Sequence, residues 1–346
     1  MRRNGRSFRS PSGIALAGLL VVLVAAAVLW LAPSNGYYLF LPDRAHPLAP
    51  LVHVAGAKAQ PGGGGIYFVD VRFRKARLIE RLFPQLHDGS SLVQIGQVRS
   101  PCVSAKLQEL VDVHEMLRSQ RIAAAVALRR LGYKIRSQAT GVLVASIICR
   151  APAAAELRPT DEIVGVDGKP TPTLGRLRHL LARHRPGDRV RVRYRRGHGV
   201  REVTVQTIAD PENRRRAIIG FAPEQGLELR LPVRIKIDTR GVGGPSAGLA
   251  FALELMEQLG RDVDHGYKVA ATGELGLDGS IGEIGAVKQK TIGAREAGVD
   301  VFLVPAGENA SDARKYAHHL RIIPVESFPQ ALHALATLPP RARKSA

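Results

Sequence analysis

The stretch RGVGGPSAGLAFALEL, residues 240–255, sets two glycines and a proline directly ahead of a serine and then begins a strongly apolar run. Leu249, Ala252, Leu253, Met256 and Leu259 recur at the period of a buried helix face, and Gly260 follows as a stop. Two readings of Ser246 are open here: an N-cap, or a nucleophile presented at a sharp bend. Upstream, LELRLPVRIKID at 227–238 alternates with period two and predicts one strand, in which Pro232 argues for an edge position. Downstream, YKVAATGEL and GSIGEIG predict strands around the Asp278-Gly279 turn, and AVKQKTIGAREAG (286–298) predicts a helix. VDVFLVP then reads as an apolar strand, ASDARKYAHHL as a helix, RIIPV as a strand and FPQALHALATL as a last helix. Strands alternating with helices make this an α/β (α+β) domain.

Further from this core, IYFVDVRF (66–73) predicts a strand and LVDVHEMLRSQRIAAAVALRRLG (110–132) a helix ending at Gly132. Between them and the serine the character changes. YKIRSQATGVLVASII (133–148) predicts two short strands, and Asp167-Gly168 a hairpin turn. Leu174, Leu177, Leu180 and Leu181 predict an amphipathic helix over 171–188, and RVRVRYRR with REVTVQTI a half-buried hairpin. This is a compact β-rich module.

The N-terminus carries Arg2, Arg3, Arg6 and Arg9, followed by the uncharged run Ile14–Ala32 with Trp30 near its end. That length spans a hydrocarbon core of about 30 Å. The arginines keep the N-terminus cytoplasmic and place the remainder across the membrane. Ala25-Ala26-Ala27 offers the alternative of a cleaved signal peptide, but the apolar run outlasts it, which favours an uncleaved anchor. Residues 33–60 read as a linker, and no Gly-Lys-Ser/Thr follows the glycines at 62–65, so they form no phosphate loop. The formal charge of +20 suits an anionic neighbour, yet basic residues are spread along the chain and aromatics make up only 5%, which argues against nucleic acid as a partner. Cys102 and Cys149 fit no metal spacing, and a disulfide and two buried thiols both remain open.

A serine nucleophile needs a base. His265, His318 and His319 lie in polar or turn-like contexts and Gly-x-Ser-x-Gly is absent. A lysine of lowered pKa is the other choice, and Lys288 and Lys290 both lie on the 286–298 helix, where periodicity does not separate them.

GPSAG (244–248) and GEIGAVKQKTIGAREAG (282–298) together resemble the proteolytic domain of Lon-type proteases, which are serine–lysine dyad enzymes. The resemblance implies Ser246 as nucleophile and Lys288 as base, with Thr272 of TGELGLDGSIGEIG positioning the lysine. Pro245 has no N–H, so the oxyanion donors would be Ser246 and a neighbouring glycine, Gly243 or Gly244. Many Lon relatives carry an acidic residue at the place of Gly243. A second resemblance, over about 130–208, is to PDZ domains. It implies a carboxylate-binding loop at Leu131, Gly132 and Tyr133, and a peptide added as an extra strand. Thr160 stands where that family usually has glycine.

The expected architecture is thus an α/β (α+β) Lon-type proteolytic domain with an inserted β-rich PDZ domain and one N-terminal transmembrane helix. Its parts are a basic tail 1–13, an anchor 14–32, a linker 33–60, protease segments 61–130 and 209–338 around a PDZ domain 131–208, and a basic tail 339–346. The expected function is a membrane-anchored, ATP-independent serine endopeptidase acting on polypeptides outside the cytoplasm, without cofactor or metal. The resemblance adds a homo-oligomer, a hexamer. The competing reading is an inactive PDZ scaffold of the cell envelope.

Overall fold

The computed structural model of the protein describes residues 11–57, 63–239 and 241–339, with side chains from residue 15 onward. The arginines before the apolar run, part of the Gly-rich stretch and nearly all of the basic tail lie outside the described residues.

The chain divides into two compact units. One comprises residues 1–42 and 71–98, the other residues 43–70 and 99–346. In the first, helix α1 (Pro11–Leu31) carries exposed Leu16, Leu19, Leu20, Leu23 and Trp30. Among the described residues no helix is long and apolar enough to cross a membrane; the first four side chains of α1 are not among them. The remainder of this unit is an antiparallel sheet of Val71–Arg77, Pro33–Pro42 and Ser91–Gln94. Glu80 is buried beside it, accepting from Arg74 (3.0 Å), the Arg77 amide (2.7 Å) and His87 (2.9 Å).

Two expectations are corrected here. Residues 33–60 are not a linker: 33–42 is the central strand of a sheet, and His46–Pro47 and Val52–Val54 are strands of the second unit. The run 66–73 is not one strand. Gly65–Phe68 and Val71–Arg77 belong to different units, with Val69 and Asp70 outside either strand.

The second unit is built on a five-stranded sheet in the order His46–Pro47, Gly65–Phe68, Lys268–Ala271, Val301–Pro305, Arg321–Val325. Its last four strands are parallel, as expected where helices connect successive strands. Helices α2 (Ala105–Arg130) and, further along the chain, Gly248–Gln258 pack against one another on one face. Ala127, Leu249, Phe251, Leu253, Val269 and Leu303 form this core and are fully buried. Phe302, Val304 and Ala270 point to the other face, where Val287 and Ala294 of the Val287–Glu296 helix meet them. The strict alternation of strand side chains thus supplies two cores from one sheet.

Residues 136–230 form a separate antiparallel sheet, ordered Gly199–Gln206, Arg189–Arg196, Glu162–Val166, Arg136–Ile147, Phe221–Arg230, with a helix α3 at Leu174–Leu181. Its own core holds Val142, Val144, Ile163, Leu177, Val190 and Val192. The expected pair of strands in 133–148 is one strand, Arg136–Ile147. The expected single strand 227–238 is the end of Phe221–Arg230 and a separate short strand, Ile235–Ile237. Pro232 lies between them, where its missing N–H ends the ladder. Cys102 and Cys149 form a disulfide, with Cα atoms 5.3 Å apart, tying the start of α2 to this sheet.

Candidate active site and peptide edge

Ser246 sits immediately before the apolar helix, now α4 (Gly248–Gln258). Gly244 holds φ at +88°, a left-handed conformation that a side chain resists and that turns the chain sharply into Pro245. Three bonds fix the bend. The Ser246 carbonyl accepts from the Gly273 amide (2.8 Å) and from Thr272 Oγ1 (3.1 Å). Ser119 Oγ on α2 donates to the Pro245 carbonyl (2.9 Å).

Lys290, on helix α5 (Val287–Glu296), donates from Nζ to Ser246 Oγ at 2.8 Å and to Thr272 Oγ1 at 3.4 Å. Lys290 is therefore the lysine at the serine, and the assignment to Lys288 is corrected. Lys288 Nζ instead stands 5.6 Å over the ring of Tyr316. The reason is helical phase: residue 290 shares the inward face with Val287 and Ala294, while 288 is turned well over a quarter-turn away from it. Burial pushes the Lys290 ammonium down to about 8, opposed only in part by the carboxylate of Asp70. Thr272 is fully buried beside it, where the sequence placed it. No histidine is hydrogen-bonded to Ser246 among the described residues.

Of the oxyanion candidates, Gly244 is removed, because its amide donates to the Asp112 carbonyl at 2.9 Å. The amides of Ser246 and Gly243 have no acceptor among the described residues. A cavity of about 100 Å³ abuts Pro245 and is lined by His114, Glu115, Arg118, Glu224 and Glu274. Burial, then the neighbouring Asp112, Glu224 and Glu274, push Glu115 up to about 7. Arg118 pairs with Glu224 at 2.8 Å. These groups come from α2, the Phe221–Arg230 strand and the Glu274 hairpin; Glu274 lies in the TGELGLDGSIGEIG segment singled out from the sequence, and no local motif announced the others.

The expected carboxylate loop is also corrected. The amides of Leu131, Gly132 and Tyr133 donate to Ala127, Arg129 and Leu128 carbonyls at 3.1, 3.0 and 3.0 Å. They cap α2 and are spent. Leu131 packs on the core of the parallel sheet. Phe221–Arg230 is one edge strand of the antiparallel sheet, Gly199–Gln206 being the other. The Gly220 carbonyl takes the Ile148 amide at 2.9 Å, which leaves the Phe221 amide on the open side. The Ile219 and Gly220 amides have no acceptor among the described residues. Gln225 on this strand bridges to α3, accepting from the Leu174 amide (3.2 Å) and donating to the Pro172 carbonyl (2.9 Å).

Comparison with known proteins agrees with both halves. Residues 129–207 match the PDZ domain family, and residues 237–337 the Lon protease (S16) C-terminal proteolytic domain. The chain is 33% identical over 146 residues to a Lon protease of Chloroflexus aggregans, covering 40% of this chain and 17% of that protein. It is 30% identical over 152 residues to a Lon protease of Phenylobacterium zucineum, covering 44% of this chain and 19% of that protein. The chain thus spans under a fifth of the length of these relatives. Among solved structures, the PDZ domain of an SdrC-like protein of Listeria monocytogenes is 25% identical, covers 24% of this chain and 87% of its own, with a TM-score of 0.23. Residues 237–337 are thus similar to a Lon-type proteolytic domain, and residues 129–207, ahead of them in sequence, to a PDZ domain.

Proposed function

We propose that this chain is a serine endopeptidase in which Ser246 is the nucleophile and Lys290 the general base. The contact of 2.8 Å between Lys290 Nζ and Ser246 Oγ carries this reading. A neutral lysine takes the hydroxyl proton as Oγ attacks a peptide carbonyl, and the resulting oxyanion takes the Ser246 and Gly243 amides as donors. The protonated lysine then gives its proton to the departing amine, leaving an acyl-serine for water to hydrolyse. An inactive scaffold has no need to keep a lysine buried against a serine, at a desolvation cost.

The PDZ domain recruits polypeptide ends in this reading. A terminal carboxylate sits on the Ile219, Gly220 and Phe221 amides and the peptide adds to the open strand. The sequence Ile218-Ile219-Gly220-Phe221 has the apolar–Gly–aromatic form that the loop requires. The uncharged, exposed α1 supports anchoring in a membrane, and the disulfide supports an oxidising compartment outside the cytoplasm. Hydrolysis is proposed to proceed without ATP.

The test compares newly formed protein N-termini in cells carrying wild type, Ser246→Ala or Lys290→Ala. Termini seen only with wild type establish proteolysis. Identical sets from folded, expressed proteins overturn it.

A further inference from the structure

Asp70 stands where Gly65–Phe68 leaves the parallel sheet. Phe68 is paired with Ala271, so the two chains run out of the sheet side by side, one into Asp70 and the other into Thr272. This is the end of the sheet at which Lys290 meets Ser246. The Asp70 side chain is 16% exposed, and its Oδ1 is shut off from water with no hydrogen-bond donor. His46, which pairs with Phe68 on the other side, brings Nε2 to 3.6 Å from that oxygen, an electrostatic contact too long for a hydrogen bond. Asp43, from the segment before that strand, also faces it.

A buried carboxylate oxygen with no donor is uncommon and calls for a reason. The dyad supplies one. When Lys290 takes the Ser246 proton it becomes a buried ammonium, while negative charge develops at the oxyanion. Thr272 offers Nζ only a neutral lone pair, since its own hydrogen is given to the Ser246 carbonyl. Asp70 is the charged group that acts on Lys290.

We propose that Asp70 is a positioning residue of the Ser246–Lys290 pair, whose buried carboxylate balances the charge Lys290 acquires on taking the serine proton. This rests on the dyad reading above. In the resting enzyme the carboxylate holds the lysine basic enough to accept a proton. In the transition state it stabilises the ammonium, and the lysine later passes the same proton to the leaving amine.

The test is the pH profile of peptide hydrolysis by the full chain, with serine labelling by an acylating fluorophosphonate. Rate follows the neutral fraction of Lys290, so it rises with pH. Removing the anion lowers the lysine pKa, so Asp70→Asn moves the acid limb to lower pH while kcat falls roughly tenfold or more and KM stays. Asp70→Glu restores part of kcat and brings the limb back. Should Asp70→Asn not fold, Asp70→Ser carries the same expectation. A folded variant with the wild-type limb, or a loss that Asp70→Glu does not recover, overturns the inference. A wild-type Ser246 that takes no label overturns the dyad reading with it; a labelled Ser246 with an unmoved limb overturns this inference alone.

Discussion

The Gly244 amide donates to the Asp112 carbonyl at 2.9 Å, and a side chain at Gly243 would bring its Cβ to 2.7 Å from Asp112 Cβ. Helix α2 therefore lies directly against the bend that presents Ser246. Gly243→Ala forces the two apart by several tenths of an ångström. We expect kcat for a peptide substrate to fall at least about tenfold, with little change in KM, because near-attack geometry is lost rather than binding. An unchanged kcat would show that the bend tolerates the shift.

The two lysines of α5 separate by mutation. Lys290→Ala should lower kcat by roughly 10²–10⁴, the span of a lost general base, while Lys288→Ala should stay within about twofold. Wild-type kcat/KM should climb with pH through about 8, where Lys290 loses its proton. A profile flat from pH 6 to 9 would remove lysine as the base.

Reduction of Cys102–Cys149 opens a cross-link spanning 47 residues. On the chain-entropy account this costs about 4 kcal/mol. Thermal unfolding of Cys102→Ser with Cys149→Ser should shift downward by several degrees relative to the oxidised protein, and wild type in reductant should match the double variant.

Thr160 holds φ at +77°, a conformation costly for a branched side chain. Glycine is at ease there. Thr160→Gly should raise stability by about 1 kcal/mol in denaturant titration; a loss would mean that Thr160 makes a compensating contact.

Peptide capture distinguishes the two loops. A peptide with a free C-terminal carboxylate should bind the full chain and its amidated form should bind far more weakly. Gly220→Ala should abolish the difference, because Gly220 has φ +101° and its Cβ would come 2.4 Å from Ala151 Cβ. Tyr133→Ala should leave binding intact.

The serine, the threonine, the helical elements of the catalytic domain and the presence of a β-rich module were legible because each is written in a short window. Turn glycines, apolar period and flanking strands are local signals. Lys290 was not separable from Lys288, because Val287, Gln289, Lys290, Thr291, Ile292, Gly293 and Ala294 are all buried and nearly surround the helix, erasing its amphipathic phase. The proposed peptide edge is not legible in the sequence for a topological reason. Gly132 fits a loop as well as a helix cap, and only the pairing of Phe221–Arg230 with Arg136–Ile147 shows which strand ends the sheet. Glu115, Glu224 and Asp70 became neighbours of the site through tertiary packing alone.

The same strand pair has a consequence for how the molecule assembles. Arg136 and Arg230 face one another, so the inserted sheet begins and ends at one point. Helices α2 and α4, which must dock to form the larger core, are separated in sequence by everything between Arg130 and Gly248. As an unstructured loop that span would impose a long, slow closure. As a folded clasp with adjoining ends it shortens the search to the few residues on either side. Refolding of the catalytic core should then lag behind formation of the inserted sheet, and variants that loosen the sheet, such as Val192→Ala, should slow the recovery of Ser246 labelling even though they lie in the other core.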